Sequence, residues 1–323
     1  MEYEGQLARA HALGLSVLGR TSPNPPVGAV ALDASGEVVG EGASQPAGGA
    51  HAEPEALRNA TRPVHTVVCT LEPCNHTGRT GPCAQALLQA GVRRVVFAHR
   101  DPNPTAAGGA DTLRAAGVEV VELGGDEGAL AYWLHKQRTG RPFVTWKYAA
   151  TLDGRSAAAD GTSQWITGPE ARADVHVLRS RCDAILAGSG TVLADDPQLT
   201  TRPSPGHQPL RVVLDRRERV PATAKALGDG SLHVTDDRDV LKDLGERGIT
   251  RVLLEGGPTL AAAMWRSGDV DEVVAYLAPA LLGAGPAAVA DLGIATIAHI
   301  ARLHLTDVSR LGDDVRLTLR RAA

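Results

Sequence analysis

Apolar residues recur along the chain at two different spacings, and the switches between them mark out its elements. Over residues 2–18 they fall on one face of a 3.6-residue repeat, which predicts a helix, whereas 27–32 and 37–42 carry the short apolar runs of strands. The pattern continues with a helix over 52–60, a buried strand over 64–70, a helix over 82–90, a strand over 92–98, a helix over 111–116 and a strand over 118–123. A helix over 126–138 then runs into Thr139, Gly140, Arg141 and Pro142, where glycine can close a helix and proline cannot extend it. Beyond this stop the pattern restarts. Strands are predicted at 143–149, 184–187, 210–215, 232–235, 251–254 and 272–277, helices at 169–179, 239–247 and 259–267, and a closing antiparallel pair at 303–309 and 315–320. Two α/β domains, 1–140 and 141–323, are the simplest organisation, and the halves show no internal repeat.

Composition agrees and removes several classes. A chain of 323 residues suits about two domains of the usual ~150 residues. Hydrophobic residues at 43% and charged residues at 22% exclude a disordered or fibrous protein. Lys plus Arg number 33 against 37 Asp plus Glu, a net charge of -4 without a dense basic run, so no nucleic-acid partner is expected. Four cysteines are too few for a disulfide scaffold, the N-terminus has no leader pattern, and no segment approaches ~18 uninterrupted apolar residues. The expectation is a cytoplasmic protein without a membrane partner. Cysteine spacing then matters more than cysteine count.

The sharpest chemistry lies in His51-Ala52-Glu53, followed by Pro73-Cys74 and Pro82-Cys83. His51 and Glu53 open a predicted helix, Cys74 follows a buried strand, and Cys83 falls in the first turn of a helix beginning at Pro82. A helix N-terminus carries positive partial charge and favours thiolate, the form that binds metal. One imidazole and two thiolates leave one position of a tetrahedral zinc open for water, which marks a catalytic site. Glu53 is then the natural carrier of a proton between water and a substrate nitrogen. A closed structural zinc with His76 as fourth ligand accounts for the same residues.

H-x-E with P-C-x-x-C is the signature of zinc nucleobase deaminases, but eight residues separate these cysteines instead of two. The inserted segment, with Arg79 and several hydrogen-bonding side chains, has the makings of a substrate loop. Cys69 and Cys182 sit within or beside strands as core thiols, and His11, His65 and His99 need no role beyond packing and solvation.

The second half is quieter. It lacks G-x-G-x-x-G after a strand, so a Rossmann cofactor site is not expected. Gly256 and Gly257, between a strand and a helix, would let a pyrophosphate approach backbone N–H groups, and an ordinary tight connection explains them too.

The series HAE, TLEPCNHTGRTGPC, DPNP, KYAATLDGR, SQWIT, GTVLADDP and EGGPTL resembles, in order over almost the whole chain, the RibD/RibG family of bifunctional riboflavin-biosynthesis enzymes. The resemblance implies an N-terminal cytidine-deaminase-like three-layer α/β/α domain that removes the 2-amino group of 2,5-diamino-6-(5-phosphoribosylamino)pyrimidin-4(3H)-one. It implies a C-terminal dihydrofolate-reductase-like α/β domain that uses NADPH to reduce the ribosyl group of 5-amino-6-(5-phosphoribosylamino)uracil to ribityl. Carried onto this chain, it gives one zinc at His51, Cys74 and Cys83, with Glu53 as proton relay. Asn24 matches a pyrimidine contact, and Arg79, Asp101 and Asn103 match positions near the ribose phosphate. Ser163, Arg179, Leu199, Arg202 and Glu255 match substrate contacts in the reductase. Ala149, Trp165, Thr191, Asp195 and the run Gly257, Pro258, Thr259, Leu260, Ala261, Ala262 and Ala263 match NADP contacts. Relatives also imply a homo-oligomer, dimer or tetramer, formed through reductase domains.

Plainer explanations stand beside some of these. Turn chemistry next to proline accounts equally for Asn24 and Asn103. Lys147 is a candidate general acid or electrostatic partner, or a solvated strand-edge lysine. Departures from the family pattern are Ala50, where proline often precedes the histidine, Gly81, where Thr-Pro-Pro-Cys is usual, and Arg216, where many relatives carry serine. An arginine at 216 suggests a partner for a 2′-phosphate. A nucleic-acid base deaminase with an accessory nucleotide-binding domain shares the HAE chemistry but calls for P-C-x-x-C and a basic surface, and the sequence has neither. A nucleotide-binding module with a purely structural zinc leaves Glu53 without a task.

Overall fold

The computed structural model describes residues 3–78, 81–202 and 207–321. The chain divides into two compact units, Met1–Arg141 and Pro142–Ala323. The first contains α1 (Glu4–Ser16), β1 (Gly28–Leu32), β2 (Val38–Ala43), α2 (Ala52–Arg58), β3 (Thr66–Leu71), α3 (Cys83–Gln89), β4 (Arg94–His99), α4 (Gly109–Ala115), β5 (Glu119–Glu122) and α5 (Leu130–Thr139). Its sheet has the order β2-β1-β3-β4-β5, with β1 antiparallel to both neighbours and β3, β4 and β5 parallel.

Successive strand residues point to opposite faces, and this alternation divides the core in two. Ala29, Ala31, Val67, Cys69, Val95 and Phe97 meet α2 at Ala52 and Ala56, α3 at Leu87 and α4 at Leu113. Val30, Leu32, Val68 and Val96 meet α1 at Ala10. Two layers of helix around one sheet result, with Cys69 fully buried as the sequence suggested. Helix α5 starts later than the predicted 126, because Gly124, Gly125 and Gly128 hold positive φ of 70, 110 and 51°, which a right-handed helix cannot use.

The second unit contains β6 (Phe143–Thr151), α6 (Pro169–Ser180), β7 (Ala184–Gly188), α7 (Ser189–Asp195), β8 (Leu210–Leu214), β9 (Ser231–Val234), α8 (Val240–Glu246), β10 (Arg251–Leu254), α9 (Pro258–Arg266), β11 (Glu272–Ala278), β12 (Leu303–Leu311) and β13 (Asp314–Arg321). Its eight strands run in the order β12-β13-β11-β6-β10-β7-β8-β9. All pairs are parallel except those made by β13, which is antiparallel to β11 and β12. Leu244 of α8 and Met264 of α9 close one face over Val144, Leu186 and Leu254, and Val192 of α7 packs on Ile185 and Val213 of the other.

Helix α7 has no counterpart in the apolar pattern. It spans seven residues, buries only Val192 and begins where β7 ends, so it offers no periodic stripe. Lys147 lies on β6, flanked on both sides by β11 and β10, and is therefore no strand-edge residue. Among the described residues no helix is long and apolar enough to cross a membrane.

Helix α1 crosses β1 with no room for a side chain at Gly28, where a Cβ would lie 1.9 Å from the Ala10 carbonyl oxygen. Gly28→Ala is therefore expected to destabilise the first unit by about 3 kcal/mol, since the obstacle is backbone. Urea unfolding should show an earlier transition, while the activity of the second unit persists at concentrations where the first has melted.

Candidate active sites

Three element ends bring the predicted ligands together. His51 is the N-cap of α2, Cys74 lies in the loop after β3, and Cys83 is the first residue of α3. His51 Nδ1 lies 3.3 Å from Cys83 Sγ and 3.5 Å from Cys74 Sγ, and the three donor atoms all lie within 4.8 Å of one another. Tetrahedral zinc, with Zn–S near 2.3 Å and Zn–N near 2.0 Å, separates such donors by about 3.6 Å, so this set fits the ion. His76 does not join the cluster among the described residues, which leaves three donors and one open position.

The thiols differ in a way the sequence did not suggest. The Cys83 backbone N–H, at the start of α3, donates to Cys74 Sγ at 3.3 Å. A hydrogen bond from the Cys83 thiol, with a lesser one from His51, brings the Cys74 pKa down to about 4 against the opposing effect of burial. The same sulfur–sulfur hydrogen bond holds Cys83 well above the usual thiol range. The helix start thus favours the thiolate of its neighbour in space. Glu53, in the first turn of α2 and 4% exposed, lies with Oε2 3.4 Å from Cys83 Sγ. Burial and then the Cys74 charge raise its pKa to about 7, an upward push that a cation in the cluster counters. Such a carboxyl can take and return a proton beside the open position.

The other predicted contacts of this unit lie on turns. Asn24 is half-buried, and its backbone N–H closes a turn on the Thr21 carbonyl. Asp101 follows β4, is buried, and accepts the Asn103 N–H at 2.8 Å, while Asn103 Oδ1 accepts the Thr105 N–H at 3.1 Å. Burial raises the Asp101 pKa. The Asn103 side chain therefore performs the turn chemistry that its neighbouring prolines suggested, and Asp101 makes a turn bond of the same kind, at a place one strand from Cys74. Arg79 lies outside the described residues.

In the second unit a cavity of about 1240 Å³ opens at the carboxyl ends of the parallel strands, the position where open α/β sheets bind ligands. It exceeds the ~300–1,000 Å³ of a single small-molecule site, as a dinucleotide and a substrate together require. Ser163, Arg179, Leu199, Arg202 and Glu255 line it, as do Ala149, Trp165, Thr191, Asp195, Gly257, Pro258, Thr259, Leu260 and Ala263. Ala261 and Ala262 do not. They are 0% and 2% exposed within α9, where Ala261, two residues from both Thr259 and Ala263, faces the core.

Arg179, one of the expected substrate contacts, is also engaged within the protein. Its Nε and Nη2 donate to the two carboxylate oxygens of Glu255 at 2.5 and 3.0 Å, and Nη1 donates to the Thr200 carbonyl at 2.9 Å. Lys147 Nζ lies 3.7 Å from the same carboxylate. Burial pushes Glu255 up, yet Arg179 and then Lys147 outweigh it and hold its pKa at about 2. Burial lowers the Lys147 pKa against the attraction of Glu255. Two cations around one carboxylate leave a net positive cavity floor. His176 and Tyr276 also line the cavity and were not singled out from sequence, although His176 stands one turn before Arg179 on α6. Trp165, 70% exposed, has the Arg172 guanidinium 4.6 Å from its ring centre.

Metal-assisted hydrolysis in one unit and nucleotide-dependent reduction in the other are the chemistries for which these sites are shaped, the class of bifunctional deaminase–reductases. Residues 4–99 match the family model of the cytidine and deoxycytidylate deaminase zinc-binding region, and residues 142–317 match the RibD C-terminal domain. A riboflavin biosynthesis protein RibD from Mycobacterium tuberculosis is 50% identical over 317 residues, covering 94% of this chain and 93% of that one. The structure of Acinetobacter baumannii RibD, form 1, superposes with a TM-score of 0.90 at 39% identity, covering 100% of this chain and 99% of that one. A diaminohydroxyphosphoribosylaminopyrimidine deaminase/5-amino-6-(5-phosphoribosylamino)uracil reductase from Thermotoga maritima gives 0.86 at 32%, covering 99% of each chain. The chain belongs to the RibD family. It is a bifunctional deaminase and reductase of riboflavin biosynthesis, with a cytidine-deaminase-like zinc-binding domain followed by a RibD C-terminal reductase domain.

Glu255 is ionised in the folded protein down to about pH 2, against 4.5 without its partners. The stability contributed by its ionisation is thus complete above pH 4.5 and is lost as the pH falls toward 2. Glu255→Gln leaves Arg179 and Lys147 facing each other and should cost about 3–5 kcal/mol at neutral pH. Unfolding of parent and variant between pH 2 and 7 should show the difference narrowing at the acid end.

Proposed function

We propose that the first unit hydrolyses the 2-amino group from 2,5-diamino-6-(5-phosphoribosylamino)pyrimidin-4(3H)-one, and that the second reduces the ribosyl group of 5-amino-6-(5-phosphoribosylamino)uracil to ribityl. The observation that carries the first step is the three-donor cluster with a buried carboxylate beside it. The second step is supported by the cavity with its cationic floor, and both by the activities named for the Thermotoga maritima relative. The domains are residues 1–140 and 141–323. His51, Cys74 and Cys83 hold one zinc ion, which when bound acts as a Lewis acid that makes water nucleophilic near neutral pH. Glu53 takes the proton of the attacking water and delivers it to the departing nitrogen, so that ammonia leaves as the C2–N bond breaks and the C2–O bond forms. Asn24 holds the pyrimidine, while Asp101, Asn103 and Arg79 border the ribose phosphate.

In the reductase, Lys147 presents its charge toward the reacting sugar, with Glu255 and Arg179 fixing its position. Ser163, Leu199 and Arg202 hold the substrate, with Arg202 as the exposed cation for its phosphate. Ala149, Trp165, Thr191, Asp195 and the 257–263 turn of α9 hold NADPH.

Arg216, Arg217 and Arg219 line the same cavity from one turn after β8. Arg216 pairs with Asp237 at 3.3 Å and Arg219 donates to Ser189 Oγ at 3.0 Å. Arg217, without an ion-pair or hydrogen-bond partner among the described residues, is the best placed to meet a 2′-phosphate. A homo-oligomer through the reductase units is supported by Leu305 and Val308 of β12, 56% and 57% exposed at the sheet edge. Cytoplasmic residence is supported by four free cysteines, and the lack of a nucleic-acid partner by the net charge of -4.

Cys74→Ser and Glu53→Ala are each expected to abolish ammonia release while NADPH oxidation on the deaminated substrate survives. Metal analysis should give about one zinc per chain for the parent and Glu53→Ala, and far less for Cys74→Ser. Loss of both activities in a folded variant defeats the two-site assignment, and persisting deamination defeats the zinc assignment. Arg217→Ala should raise KM for NADPH about ten-fold and leave KM for NADH unchanged. Equal changes for both would remove Arg217 from 2′-phosphate recognition.

A further inference from the structure

The loop that carries Cys74 and the segment that carries Asp101 and Asn103 are joined through one buried side chain outside the ligand set. Glu72 follows β3 and is 4% exposed. Its backbone N–H donates to the His99 carbonyl at 2.8 Å, extending the ladder between β3 and β4. Its carboxylate turns sideways to accept three backbone N–H groups. Oε2 takes the Asp101 N–H at 3.2 Å, and Oε1 takes the Gly108 and Ala110 N–H groups at 3.2 and 3.1 Å. The N-cap of α4 is Gly108, which has no side chain to cap the helix, so Glu72 performs that task from another element.

The bonds continue into a closed circuit. Asp101 Oδ1 accepts the Asn103 N–H, and the Asn103 carbonyl accepts the Ala106 N–H at 2.9 Å. The Ala106 carbonyl accepts the Asn75 N–H at 2.8 Å, and Ala106 itself packs with Cys74 and Cys83. At Gly109 a Cβ would stand 1.8 Å from the Pro73 carbonyl oxygen, so α4 meets the Cys74 loop backbone to backbone. Neither segment can shift without breaking a bond to Glu72 or closing that contact.

We propose that Glu72 is a positioning residue of the deaminase: standing two residues before the Cys74 ligand, it fixes the distance from that ligand to the substrate-contacting segment 101–103 by holding the amides of this segment and of the start of α4 on one carboxylate. The proposal rests on the roles given above to Cys74, Asp101 and Asn103. Its two oxygens carry unequal loads, which separates its functions. A glutamine at this position keeps one acceptor oxygen, best spent on the two amides of α4, and sets its NH2 against the Asp101 N–H, donor against donor. The 101–103 segment is then released while the ligand loop and α4 stay in place.

Glu72→Gln in the full chain should therefore raise KM for the pyrimidine substrate at least ten-fold, with kcat of deamination changed less than about three-fold, zinc near one per chain and reductase activity intact. Asn103→Ala should add little to the KM of Glu72→Gln, since both act through one segment. An unchanged KM in a zinc-loaded Glu72→Gln protein overturns the proposal, and so do fully additive effects. Should that variant not fold, amide exchange in the parent decides. Asp101, Gly108 and Ala110 should exchange as slowly as the amides of β3 and β4, and rapid exchange at these three positions refutes the clamp. If the parent released no ammonia from the pyrimidine, the substrate assignment would fall while the exchange result still ruled on Glu72.

Discussion

A parallel strand cannot turn directly into its neighbour; its chain must leave the sheet, cross a face and return. The carboxyl ends of such strands are where the chain departs, and backbone groups there lack the ladder that satisfied them inside the sheet. Both units place their chemistry at those departures. Cys74 and Asp101 follow the parallel neighbours β3 and β4, and Glu255 follows β10, between β6, which carries Lys147, and β7. The cost of leaving the ladder is met locally, by Glu72 for the amides after β4 and before α4, and by the Glu255 N–H donating to the Leu186 carbonyl across to β7. Up to those departures the strands themselves are buried throughout, as β3 and β10 show.

The two sites handle charge in opposite ways. The deaminase cluster gathers groups that tend to lose protons around a place suited to a cation, so burial and mutual repulsion there oppose ionisation of Glu53. The reductase floor surrounds one carboxylate with two cations and leaves an excess positive charge for a phosphorylated, anionic ligand. In each case the decisive partner comes from a different element, which is why the charge state is a property of the fold and not of a motif.

That difference sets the limit of what was legible in the chain. His51, Glu53, Cys74 and Cys83 stood out because catalytic zinc demands those side chains at element ends, and periodicity located the ends. The short apolar runs through 28–32 and 66–71, which lack the polar alternation of a half-exposed sheet, likewise pointed to buried strands. Glu72 was hidden inside the same motif, since a glutamate next to a strand is usually solvated and nothing local shows that three distant amides converge on it. The pairing of Arg179 with Glu255 could not be read from the chain, because the two lie 76 residues apart in sequence. Helix α7 escaped notice for want of a stripe, and the glycines at 124, 125 and 128 delayed α5 in a region where apolar spacing alone looked helical.

The cluster geometry carries one last implication. His51 and Cys83 stand 32 residues apart, and between them run α2, β3 and the loop of Cys74. An ion held by all three is a cross-link as well as a reagent, shortening the reach of the unfolded chain over that loop just as a covalent bridge of similar span does, an effect worth roughly 3–4 kcal/mol in the chain-entropy view. With the proposed ligands, catalysis and cohesion of the first unit are tied to the same three atoms, and loss of the ion would lower the resistance to unfolding.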